Sequence, residues 1–196
     1  MLSLNKLMST IFILSSWVAL PDMPKARINL SAVHVPDEGF IVVGGAGNKE
    51  NKFRHLNDVH LLRFKSGGAS KDKWLWENLP PMLEGRNLPG ITYYNGRVFV
   101  AGSTGDSYID IESMWYPTVP NEDPQWMFVS LIEIPFHFPV SFIELNGTLL
   151  LINGDGHVLE YHEVAKSGRI IETQWRSKCH LENSSNSYIF IRKINA

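Results

Sequence analysis

A tryptophan recurs along this chain at Trp17, Trp76, Trp126 and Trp175, at spacings of 59, 50 and 49 residues. Two glycine series keep step with it. One runs Gly39, Gly96, Gly147 and the other Gly45, Gly102, Gly154. A period near fifty residues means that each unit is one supersecondary piece. Such a piece cannot bury its own apolar faces, so neighbouring units must stack to make a core.

The clearest unit runs from residue 27 to 86. It reads INLSAVHV, a turn at Asp37-Glu38-Gly39, FIVVGG, NDVHLLRF, WLWENLPPM and then Arg86. These are four runs of strand length, rich in Val, Ile, Phe and Trp and separated by turn residues. Asn95-Gly96 and Asn146-Gly147 mark hairpins, because both residues tolerate positive φ. Alternation such as that of residues 109–114 gives an all-β expectation throughout. The units fall at 27–86, 87–135 and 136–183, the last degenerate. A half unit is expected at 1–26 and the start of another at 184–196. Residues 46–57 and 65–73 read as polar loops. The apolar run at 7–20 has two readings, a signal peptide or strands of a half unit. The order Trp17, LPDM, Arg27 repeats Trp76, LPPM, Arg86 and favours strands.

Four strands per unit, Gly44-Gly45 after the second, Trp76 in the fourth, LPPM at 79–82 and Arg86: this resembles the kelch repeat of β-propellers. The second unit has Ala101-Gly102 for the glycine pair, and the third has Asn153-Gly154 and no terminal arginine. Phe64, Tyr116 and Tyr161 are placed at one equivalent third-strand position. The resemblance implies four-stranded antiparallel blades. Three full repeats fall short of the four to eight blades of a ring, so the chain is expected to belong to a longer product; a four-bladed ring sharing strands from both termini is the alternative. The resemblance also implies a protein- or peptide-binding module without catalytic activity. Its leading role would be substrate recognition for a cullin-RING ubiquitin ligase, with a BTB-type dimer and cullin as partners if the chain is part of a longer one. An actin scaffold and a piece of a secreted oxidase or sugar-processing enzyme are the other readings.

Composition narrows the chemistry. A net charge of −2 leaves no basic footprint for nucleic acid, and no apolar run is long enough to span a membrane comfortably. The single cysteine, Cys179, permits no internal disulfide and no CxxC metal site, which suits a cytoplasmic location. His157 and His162 lie an odd number of positions apart on an expected strand and face opposite ways. No metal site, cofactor or catalytic residue is therefore assigned. Asp106, Asp110 and Glu112 read as a solvated loop and strand edge.

The repeated aromatics are expected to pack between neighbouring units. For partner binding the candidates are Arg27 and Arg86, with Lys52, Arg54 and His55 in the 46–57 loop and Ser103 and Asp106 in the 103–108 loop. In the kelch resemblance Arg27 and Arg86 match an arginine that can face the binding mouth, where a planar guanidinium captures carboxylates. The alternative is that each one hydrogen-bonds carbonyls between blades.

Overall fold

The computed structural model describes residues 19–49, 52–65, 73–102, 109–116, 123–132, 140–166 and 169–180. Within them the chain is all-β and forms three four-stranded antiparallel sheets. The first sheet has β1 (Ser31–Val35) and β2 (Gly39–Val43), followed by β5 (Val59–Lys65) and β6 (Lys73–Leu79), in the order β1-β2-β5-β6. Between its middle strands a separate hairpin is inserted, β3 (Ala46–Lys49) and β4 (Lys52–His55). The second sheet is β7 (Gly90–Tyr94), β8 (Arg97–Gly102), β9 (Ile109–Trp115) and β10 (Trp126–Ile132). The third is β11 (Ser141–Leu145), β12 (Thr148–Ile152), β13 (His157–Lys166) and β14 (Arg169–His180). In each sheet the strands pair in chain order, as in a propeller blade. The first strands are innermost: β1 lies against β7, and β7 against β11.

Local chemistry sets the first hairpin of each blade. Asn95 and Gly96 take φ of 47° and 77°, and Asn146 and Gly147 take 52° and 77°. Positive φ at both central residues is the two-residue turn whose twist matches its strands. Gly45, at φ 92°, is required for space as well: a Cβ there would lie 2.5 Å from the Ile28 carbonyl oxygen. In the second blade Gly102 has only ordinary contacts, its nearest neighbour 3.8 Å away.

The cores lie between sheets. Val35, Ile41, Val43, Val59 and Leu61 meet Val98, Val100, Met114 and Trp126 between the first and second. Phe99, Ala101, Ile109 and Ile111 meet Leu149, Leu151, Leu159 and Tyr161 between the second and third. Strand alternation makes this possible, since successive residues of β8 point to opposite neighbours. Every residue of β8 is buried in consequence.

Four expectations change. The 46–57 stretch is not a loop but the β3–β4 hairpin. Backbone bonds hold it: Ile28 N donates to Ala46 O (2.9 Å) and Ala46 N to Ile28 O (2.8 Å). Tyr161 is not at the position of Phe64 and Tyr116. It pairs directly with Trp175, as Met114 does with Trp126 and Leu62 with Trp76, which is one step further inside the blade. Phe64 is not packed between blades but 47% exposed, because its face of the first sheet turns away from the second. Asp110 and Glu112 are not solvated; both are buried. The strands expected in residues 1–18 and 188–192 lie outside the described residues.

Candidate functional site

One end of the three blades gathers the chain's polar chemistry. Ser31 of β1 pairs with Val43 of β2, Gly90 with Ala101, and Ser141 with Ile152. The starts of the innermost strands and the ends of the second strands therefore share one rim.

Arg86 is built into this rim from below. Its side chain is 1% exposed. Its Nη1 donates to the Gly102 carbonyl (2.9 Å) and to the Asp110 carboxylate, and Nη2 donates to Glu112 Oε1 at 2.5 Å. Glu112 in turn accepts from the backbone N–H groups of Leu83 (2.8 Å) and Glu84 (3.3 Å). The guanidinium thus ties the segment leading out of the first blade to the second and third strands of the next. This corrects the expectation that Arg86 lines a binding mouth: none of its surface is left for a ligand.

Arg27 repeats the arrangement one blade earlier. Its Nη1 donates to the carbonyls of Gly44 (3.0 Å) and Asp58 (3.1 Å), and Nη2 lies 3.0 Å from His60 Nδ1. Asp58 and His60 stand where the second blade has Asp110 and Glu112. Arg27 is half-buried and its donors are also committed, so it is a strut rather than a free cation. Burial holds the Arg27 guanidinium below its usual range, against the pull of Asp58. Burial raises the Asp58 carboxyl, but the hydrogen bond and charge of Lys25, 2.8 Å away, together with Arg27 and His60, bring it net below the usual range.

His60 replaces a carboxylate with a neutral acceptor. Burial, then the Arg27 charge, pushes its pKa down, with Asp58 opposing. A depressed folded pKa means that the unfolded chain binds the proton more readily. The stability from this contact is full above about 6.5, the ordinary histidine value, and is lost as pH falls through the lowered folded value. His60→Gln keeps an acceptor and removes the titration. Urea midpoints between pH 7.5 and 5 are expected to fall less steeply for this variant than for the parent chain.

Above the struts stands the β3–β4 hairpin. It is anchored by Leu56 N to Gly45 O (2.8 Å) and Arg86 N to Leu56 O (3.0 Å). Lys52, Arg54 and His55 are all exposed on it and form no ion pair among the described residues. Lys52 and Arg54, two apart on β4, share a side of the strand. Of the sequence-derived candidates, these three are on the surface together. Ser103 and Asp106 lie outside the described residues.

Sequence reasoning missed a pocket of about 340 Å³ on the axis side of the same rim. Its walls are the starts of the three innermost strands and the turns before them, among them Ser31, Pro89, Gly90, Val140 and Phe142. Asn29 and Leu88 carry positive φ (56° and 52°) in equivalent places, each turning the chain from its arginine into the inner strand. Small, uncharged residues give such a pocket no sequence signature. Among the described residues no cluster of three or more His, Cys, Asp or Glu side chains is arranged to hold a metal ion.

No protein-family model matches the chain. Among curated proteins it is similar to Kelch-like protein 40 of Xenopus laevis, 26% identical over 119 residues. That stretch is 60% of this chain and only 17% of the relative, so the chain corresponds to a small part of that protein. The match and the three four-stranded sheets are compatible with a kelch-type propeller.

Proposed function

We propose that this chain is a kelch-type protein-recognition module that binds an acidic segment of a partner protein at the rim, without making or breaking a bond. The observation that carries the proposal is the β3–β4 hairpin. It sets Lys52, Arg54 and His55 in solvent, while the two repeat arginines are spent on the fold. Exposed cations on an anchored hairpin steer and orient an anionic partner, and the uncharged pocket among the innermost strands suits an apolar residue of that partner. The finer role is substrate recognition for a cullin-RING ubiquitin ligase, as the resemblance to kelch-like adaptors implies. A free, exposed Cys179 thiol suits the reducing cytoplasm in which such a role is played.

The test is fluorescence anisotropy with a labelled twelve-residue peptide rich in glutamate and the full chain. Binding is expected to weaken steeply with salt. Charge reversal in a Lys52→Glu, Arg54→Glu double variant should cost about tenfold in affinity or more, with the melting temperature unchanged because both side chains are exposed. Equal affinity of parent and double variant would dismiss the hairpin as the recognition element.

A further inference from the structure

Leu88 stands in a conformation that leucine avoids. Its φ is 52°, and it precedes Pro89, which restricts its backbone further. Left-handed backbone presses Cβ against the following carbonyl oxygen, so a bulky residue there is an outlier. Asn29 holds the equivalent place before the first blade, with φ 56°, and asparagine enters this region far more readily. Other groups hold the turn. Leu88 N donates to Asn29 O at 3.0 Å, and Ser31 Oγ donates to Pro89 O at 2.5 Å. Arg86, two residues earlier, is locked into the second blade. The backbone is thus fixed without help from the side chain at 88.

That side chain adds little to the fold. It is 44% exposed and belongs to none of the buried apolar clusters. It is instead a wall of the 340 Å³ pocket, with Pro89, Gly90, Val140 and Phe142. No side chain lining the pocket is charged, and the Ser31 hydroxyl is already spent on Pro89. Gly90 keeps the walls close, since a Cβ there would lie 2.7 Å from the Val140 carbonyl oxygen. A strained residue from which the fold gains little, placed at a cavity, is the mark of a contact site.

We infer that Leu88 is a specificity-determining residue: with Pro89 and Phe142 it selects one large apolar side chain, of phenylalanine size, on the acidic partner segment. This deepens the recognition reading above and rests on it. The hairpin cations take the acidic residues, and the pocket takes the ring. Residues 28 and 29 join the two places. Ile28 bridges to Ala46 at the base of the hairpin, and Asn29 O accepts from Leu88 N.

Fluorescence anisotropy on the full chain tests it. The probes are the glutamate-rich twelve-residue peptide and a set carrying one phenylalanine at each position in turn. At one position phenylalanine is expected to tighten binding about tenfold or more, the gain from burying a ring. Leu88→Asn, which copies position 29, should abolish that gain and leave affinity for the all-polar peptide unchanged. Its melting temperature should be no lower than the parent's, because relief of the left-handed backbone offsets the half-buried packing that is lost. If no peptide binds the parent chain, the recognition reading falls and this inference with it. If the polar peptide binds but no phenylalanine adds affinity, or the gain survives Leu88→Asn, this inference alone falls. A lower melting temperature for the variant would show that the leucine serves the fold, and would overturn it as well.

Discussion

Replacing Arg86 by alanine should cost the fold about 3–5 kcal/mol, the loss seen when one partner of a buried ion pair is removed. Asp110 and Glu112 would be left facing each other inside the blade interface, and Glu112 would still be held there by the Leu83 and Glu84 amides. At this chain length that corresponds to a fall in melting temperature of roughly 6–20 °C. Arg86→Lys should recover only part of the loss, because one ammonium cannot serve the Gly102 carbonyl and two carboxylates in the fixed geometry of a fork. Urea denaturation of the three proteins measures this. A surface role for Arg86 would instead leave stability unchanged.

Trp126→Ala should come next, at about 3–5 kcal/mol for a large buried aromatic. Its ring fills the interface between the first and second blades with 6% exposure, and its Nε1 is the donor to Pro80 O. Trp126→Phe isolates the hydrogen bond and should cost about 1–2 kcal/mol, including the carbonyl left without a partner. Trp175, its counterpart in the third blade, is less buried, and its Nε1 has no acceptor among the described residues. Trp175→Phe is therefore expected to be nearly neutral, and thermal melts of the three variants rank the interfaces.

The strands were legible because strand chemistry is local. The four runs of the 27–86 unit and the alternation at 109–114 are expected as strands and are strands, Ser31–Val35, Gly39–Val43, Val59–Lys65, Lys73–Leu79 and Ile109–Trp115, since runs rich in β-branched and aromatic residues between turn residues leave little choice. What sequence left open was which residues meet. The sequence IDIE at 109–112 puts two carboxylates two apart on an apolar strand, hence on one face. That is the trace of a buried counter-ion pair, but the arginine it serves lies 24 and 26 residues earlier. Tyr161 was misplaced by counting along the chain, where ladder pairing sets equivalence. The bulge between Phe128 and Ser130 shows how one extra residue shifts such a count. The hairpin carrying Lys52 and Arg54 was read as loop because it is fixed by backbone bonds to residues 28, 45 and 86, and those leave no side-chain pattern.

Hydrogen exchange of the full chain, with and without the glutamate-rich peptide, sets the cationic hairpin against the buried arginine most directly. If recognition runs through the hairpin, peptide slows exchange at 46–56 and leaves 109–115, which carries the partners of Arg86, unchanged. Slowed exchange at 109–115 with the hairpin unaffected would contradict both assignments, making Arg86 the ligand and the hairpin a bystander.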